Sequence, residues 1–390
     1  MKARNVALSS LVACALIFSS SCGGPDIGVT SDEILIGTWA PMTGPASNLS
    51  TIARAMDAYF TYINEEEGGI HERNLRLIIK DDGYDPARTP SVVEELVDGD
   101  RVFAILGGNG TANCLAVKDY LTLKLIPWVN PGSGARIWTS PVNAYVFSTF
   151  PAYVTEGRIL AKYAAEELTA KKFGLLYQDD TFGREGQEGV RLGLRNTDKE
   201  IVVSEPYQVG AEDLSGVAQK FKDAEVDLIF VWTIAEGAAA LVKALDAIEG
   251  YQPQIVASQI LSDPVMFELA GPSWEGAIVA SSVPEPGSNE PGVARAREII
   301  QKYGQGIQFG TYAMWGLSRA EVLVEGLRRA GPDLTRLKLI QSLESIHDWS
   351  DNFLGTPISF DTENHQGLNT VQLSKAEGGT LVSLSDWLES

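Results

Sequence analysis

From residue 34 onward, short apolar runs alternate with longer stretches in which apolar residues recur every three or four positions. Ile34 to Trp39 is a continuous apolar run, the mark of a buried strand, and it ends in the turn Pro41-Met42-Thr43-Gly44-Pro45. Ile52, Ala55, Met56, Tyr59, Phe60 and Ile63 then recur at helical spacing until Gly68-Gly69 stops them. Leu75 to Ile79 predicts a second strand, broken by Asp81-Asp82-Gly83. A helix through Val92, Val93, Leu96 and Val97 follows, then the strand Val102 to Leu106 and a helix opening at Thr111. The cycle continues with strands at Ile126 to Val129, Phe173 to Tyr177, Ile201 to Val203, Leu228 to Trp232 and Ile255 to Ala257. Helices are predicted between them at Val154 to Leu168, Glu185 to Arg195, Asp213 to Asp223 and Glu236 to Ile248.

Strands separated by helices imply parallel sheets with right-handed crossovers. The predicted fold class is α/β, with two doubly wound parallel-sheet lobes, the second beginning near Phe150-Pro151. Ser282 to Pro291, rich in Pro, Ser and Gly, reads as a crossover or hinge.

The first residues follow another pattern. Lys2 and Arg4 precede an apolar run from Val6 to Phe18, too short to span a bilayer but suited to the core of an export signal. Small residues lead into Cys22 and Gly23-Gly24 follow it, which resembles a bacterial lipobox. Residues 1–21 are expected to be removed, Cys22 to carry lipid, and 22–31 to form a flexible lead. The protein is then exported and anchored at the periplasm or the outer face of the cell membrane. Cys14 leaves with the signal, so Cys114 stands alone and the mature chain has no pair for an intrachain disulfide.

Composition narrows the function classes. The 390 residues carry 31 Lys+Arg against 51 Asp+Glu, a net charge of −20 that disfavours nucleic acid as a partner. No phosphate-binding P-loop, zinc-protease motif, nucleophile elbow or Cys-x-x-Cys pair occurs. The chain is therefore read as no enzyme, with neither cofactor nor metal. Asp81, Asp82 and Asp85 lack calcium-loop spacing and read as a turn before a helix. His71, His347 and His365 read as solvated surface, and Trp39, Trp128 and Trp232 either pack the core or wall a cleft.

Two glycine-rich turns carry the candidate chemistry. Gly107-Gly108-Asn109-Gly110 runs from a strand into a helix at Thr111, and Pro131-Gly132-Ser133-Gly134 follows the next strand. Open backbone amides and a helix N-terminus favour an anion. Neighbouring turns at a sheet's carboxyl edge are where doubly wound folds bind ligands. A small carboxylate is the expected solute, though a tight turn without ligand would show the same residues.

Ile36 to Pro45, Ile63-Asn64, Gly68-Gly69-Ile70, Lys80-Asp81-Asp82, Asp85-Pro86, Gln178 to Gly183 and the helix around Tyr312 to Ala330 together resemble the leucine/isoleucine/valine-type periplasmic binding proteins, solute receptors of ABC importers. The resemblance implies the type I fold: two lobes (32–149 with 283–366, and 150–282 with 367–390), a three-segment hinge, and closure over a solute in the cleft. It implies ABC permease subunits as partners and a monomeric receptor. Asn109, Gly110, Thr111 and Ala112 then fall on the first ligand loop, Gly132, Ser133 and Gly134 on the second, and Phe182 and Ile234 on the closing lobe, with Trp39 as a wall. Gln259 falls where amino-acid-binding members hold the solute ammonium with a carboxylate. A neutral amide there favours a hydrophobic or aromatic acid, although Glu236 could supply the charge. The loop-bracing disulfide of some members is absent, its positions being Tyr84 and Gly110. The same fold could instead sense a solute and signal to a partner receptor.

Overall fold

The computed structural model describes residues 26–389, so the leader and Cys22 lie outside the described residues. Five parallel strands form the first sheet: β1 (Glu33–Ala40), β2 (Asn74–Asp81), β3 (Ala104–Leu106), β4 (Trp128–Val129) and β5 (Val146–Phe147), in the order β2-β1-β3-β4-β5. The second sheet holds β6 (Lys172–Gln178), β7 (Glu200–Tyr207), β8 (Leu228–Trp232), β9 (Gln254–Ala257) and β10 (Ile278–Ser281), parallel in the order β10-β9-β8-β6-β7. Two further strands, β11 (Gln372–Glu377) and β12 (Thr380–Ser383), extend it antiparallel beyond β10. Central strands such as β8 are buried on both faces, which is why they read as unbroken apolar runs.

Helices α1 (Ser50–Glu67), α2 (Thr89–Glu94) and α3 (Thr111–Leu123) connect strands of the first sheet. Helices α4 (Tyr153–Glu167), α5 (Thr181–Gly193), α6 (Ser215–Asp223), α7 (Ala235–Asp246) and α8 (Val265–Ala270) serve the second. Then α9 (Pro291–Tyr303), α10 (Thr311–Ala330) and α11 (Arg336–Glu344) return to the first lobe, where α9 and α10 pack on α1 and α11 packs on α10. The chain therefore crosses between lobes three times: after β5, after β10 and before β11. The first and last crossings pair at a bridge between Ser148 and Gln366.

The β5, β10, β11 and β12 strands were not foreseen, β5 being only two residues long. β10 is only four residues long, and β11 breaks its apolar pattern with Ser374 and Lys375. His365 also departs from the surface reading. Its ring is buried beside the last crossing, stacked on Phe147 at 3.9 Å, with Nδ1 2.9 Å from the carbonyl of Val146. Among the described residues no helix is long and apolar enough to cross a membrane.

Candidate functional site

Strands β3 and β4 end side by side, and their pairing continues into the glycine turns as a bridge between Asn109 and Gly132. Gly132 donates its amide to Gly108 O at 2.7 Å, and a Cβ at Gly132 would collide with that carbonyl. The indole of Trp128 donates to Gly107 O at 2.7 Å, while the Trp39 ring lies directly beneath Gly108. The two tryptophans pack together at 5.5 Å and support the loop from below. Gly110, at φ 94, turns the chain into α3, and the ring of Tyr84 packs against it. The two positions implied for a bracing disulfide are thus neighbours, bridged here by an aromatic contact.

The opening amides of α3 have no carbonyl a turn earlier to bond; Cys114 N is the first to do so, onto Gly110 O at 2.9 Å. At that helix end Thr111 Oγ1 lies 2.9 Å from Ser133 Oγ and 3.1 Å from the hydroxyl of Tyr153, all three buried. Tyr153 opens α4 of the second lobe, so this cluster joins the lobes. Burial pushes its phenol pKa upward and keeps it neutral.

Between the lobes these groups line a narrow cavity. Its first-lobe wall includes Asn109, Gly110, Thr111, Gly132, Trp315 and Arg319; its second-lobe wall includes Tyr153, Phe182, Ile234 and Ile260. Leu49, Ile52, Tyr84 and Phe150 complete it. Phe182 follows β6, held by the α5 cap in which Asp180 Oδ1 accepts from Gly183 N at 3.2 Å; Ile234 follows β8 and Ile260 follows β9. Both lobes therefore offer the cavity residues from the carboxyl ends of their strands.

Six expected residues line this cavity: Asn109, Gly110, Thr111, Gly132, Phe182 and Ile234. Trp39, Ala112, Ser133, Gly134 and Gln259 are not among its lining residues. Ser133 stands behind Thr111, and Gly134 O accepts from Tyr153 N at 2.9 Å. Gln259 turns away into the second lobe, where its backbone N and side-chain Nε2 donate to Glu156 at 2.6 and 3.1 Å. The short helical turn Gln259–Leu261 makes the next residue, Ile260, the one that faces the cavity. Burial raises the Glu156 pKa to about 8, so this pair is uncharged over most of the neutral range. Glu236 accepts instead from Asn48 Nδ2 at 3.0 Å, across the cleft.

Arg319 is the main residue that the sequence reading missed. It lies mid-helix in α10, one turn after Trp315, and is 4% exposed. Its guanidinium stands 5.8 Å from the Phe150 ring centroid and 6.0 Å from that of Trp315, and Nη1 donates to Asn109 Oδ1 at 3.3 Å. Burial lowers its pKa to about 10, still a cation at neutral pH. A lone arginine inside the apolar run from Tyr312 to Val324 was the available clue.

The family model described as periplasmic binding protein matches residues 33–380. A Leu/Ile/Val-binding protein homolog 2 from Brucella abortus is 23% identical over 306 residues, 78% of this chain and 80% of that protein. Among solved structures, a fatty acid ABC transporter substrate-binding protein from Thermomonospora curvata superposes with TM-score 0.85 at 22% identity, covering 94% of this chain and 95% of that one. A branched chain amino acid ABC transporter protein from Thermus thermophilus with bound valine gives 0.84 at 23% identity, covering 93% and 98%. With the family model spanning both sheets and the cavity between them, the chain belongs to the periplasmic binding protein family and has its type I, two-lobed α/β fold.

Proposed function

We propose that this chain is an extracytoplasmic receptor that binds a small carboxylate-containing solute between its lobes and presents it to the permease of an ABC importer, held to the membrane by lipid on Cys22. The observation that carries this reading is the buried hydroxyl cluster at the open N-terminus of α3, where Thr111 and Tyr153 line a cavity otherwise largely apolar and Ser133 backs Thr111. Hydroxyl donors, unbonded amides and a helix dipole converge there as a carboxylate requires. Valine and a fatty acid, named for the two structural neighbours, share that group. The role is binding: the cavity presents hydroxyls with no histidine or carboxylate to activate them.

Calorimetry on Thr111→Ala with Ser133→Ala tests the site. Hydrogen bonds to a charged group contribute roughly 1.5–3 kcal/mol each, so affinity should fall at least about tenfold; unchanged affinity rejects the assignment. Cys22→Ala should move the protein from the membrane fraction to the soluble one.

A further inference from the structure

Arg319 is a buried cation without a buried anion. Other inward arginines have acids at hand: the guanidinium of Arg295 meets Glu321 at 2.6 Å, and that of Arg328 meets Glu67. Among the described residues no carboxylate lies within ion-pair distance of Arg319, and Asn109 Oδ1, a neutral acceptor, is its one recorded hydrogen-bond partner. Leaving a guanidinium unpaired in an apolar site is strongly unfavourable, which points to a counter-ion supplied from outside the chain. The cavity it faces carries no aspartate or glutamate. Acids close to the cavity are spent inside the protein: Asp180 caps α5, Glu156 holds Gln259, and Glu236 accepts from Asn48.

Resting on the receptor reading above, we propose that Arg319 supplies the positive charge that neutralises the solute carboxylate, and that it selects hydrophobic acids lacking an α-amino group over the corresponding amino acids. An α-ammonium sits on the carbon next to the carboxylate, so an amino acid docked on Arg319 brings a second cation within a few ångström of the first; its carboxylate balances one of them, and no acid of the cavity balances the other. A fatty or aryl-alkanoic acid brings one negative charge for the one positive charge in the site. Its apolar remainder meets Phe150, Trp315 and the second-lobe wall. This argument is independent of Gln259, which points elsewhere.

Matched pairs test the proposal on the wild-type chain: 4-methylpentanoate against leucine, and 3-phenylpropanoate against phenylalanine, each by calorimetry. The acid of at least one pair should bind roughly a hundredfold or more tighter than its amino counterpart. Equal or tighter binding of the amino acids overturns the proposal while leaving the receptor reading intact. Binding of none of the four removes both. Arg319→Met should cut affinity for the bound acid by a similar factor yet leave the uncharged 4-methylpentanamide or 3-phenylpropanamide bound as in wild type. Arg319→Lys should recover part of the loss. Retention of acid affinity by a folded Arg319→Met protein also overturns the proposal.

Discussion

On the first-lobe side the cavity meets Asn109, Gly110, Thr111 and Arg319; across from them the second lobe offers Phe182, Ile234 and Ile260. The first wall is built for direction. Its groups are a helix start, a hydroxyl, an amide and a cation, each fixed by strand pairing or by a long buried helix. The second wall is built for exclusion. Gln259 near the end of β9 turns inward toward Glu156, and apolar side chains are left facing the cavity. Under the proposed function, such a division would let the first lobe choose the solute while the second removes water and adds contact area, which strengthens the polar contacts already made. Tyr153 is the exception, since its hydroxyl crosses to Thr111 and joins the polar wall of the first lobe.

The largest expected effect on solute affinity falls on the first wall. Gly132→Val should abolish measurable binding, because its side chain would strike Gly108 O and push the two ligand loops apart. The same change at Gly216, where nothing lies within 4 Å of a Cβ, should leave affinity untouched. Calorimetry on both variants reads the difference, and tight binding by Gly132→Val contradicts a rigid first wall.

Phe182→Ala comes next. The ring lies 4.9 Å from Tyr153 and 6.4 Å from Trp232, and burying such a side chain is worth roughly 1.5–3 kcal/mol. Affinity should drop by about ten- to a hundredfold, by a similar factor for every solute bound. A change in the order of preference among solutes would break the division between the walls.

Legibility in the sequence follows the same division. Apart from the two-residue β5, the strands and helices from residue 33 to 257 were visible because each buried strand is an apolar run and each helix an apolar stripe. The glycine turns were visible because backbone geometry at a strand-to-helix junction demands small residues, and Gly110 with φ 94 is one such position. Arg319 was not, since reading it as a site residue requires knowing that α10 returns to the first lobe and presents Trp315 and Arg319 to the cleft. Gln259 was misplaced by one residue, because the short 3-10 turn after β9 rotates successive side chains by about 120° and brings Ile260 to the cavity in its place. Trp39 and Trp128 read equally as wall or core, and only their position beneath Gly107 and Gly108 separates the two.

A smaller effect is expected where the lobes touch at the rim. Arg136 of the first lobe reaches Glu188 of α5 at 2.6 Å, and its backbone N donates to Glu185 at 3.0 Å. Both side chains of the 2.6 Å pair are close to half exposed. Exposed pairs contribute about 0–1 kcal/mol and are screened by salt, so Arg136→Ala should weaken binding by no more than about fivefold at low salt and less at high salt. A tenfold loss that persists in high salt would make the rim part of recognition.

The smallest effect on affinity is expected at Glu156, where stability should respond instead. Its pKa rises from an ordinary 4.5 to about 8 because burial disfavours the anion, so the folded state holds the proton more tightly than the unfolded one. As pH climbs through 4.5 toward 8, the unfolded chain releases that proton first, and this acid's contribution to stability is progressively lost. Glu156→Gln cannot ionise and can still pair its amide with Gln259, so its melting temperature should fall less steeply than that of wild type between pH 5 and 9. Solute affinity should stay the same in both proteins, because the pair serves the interior of the second lobe and leaves the cavity wall to Ile260. Parallel melting curves would show that Glu156 keeps its charge there, whereas a drop in affinity would return Gln259 and its neighbour to the solute and undo the contrast between the walls.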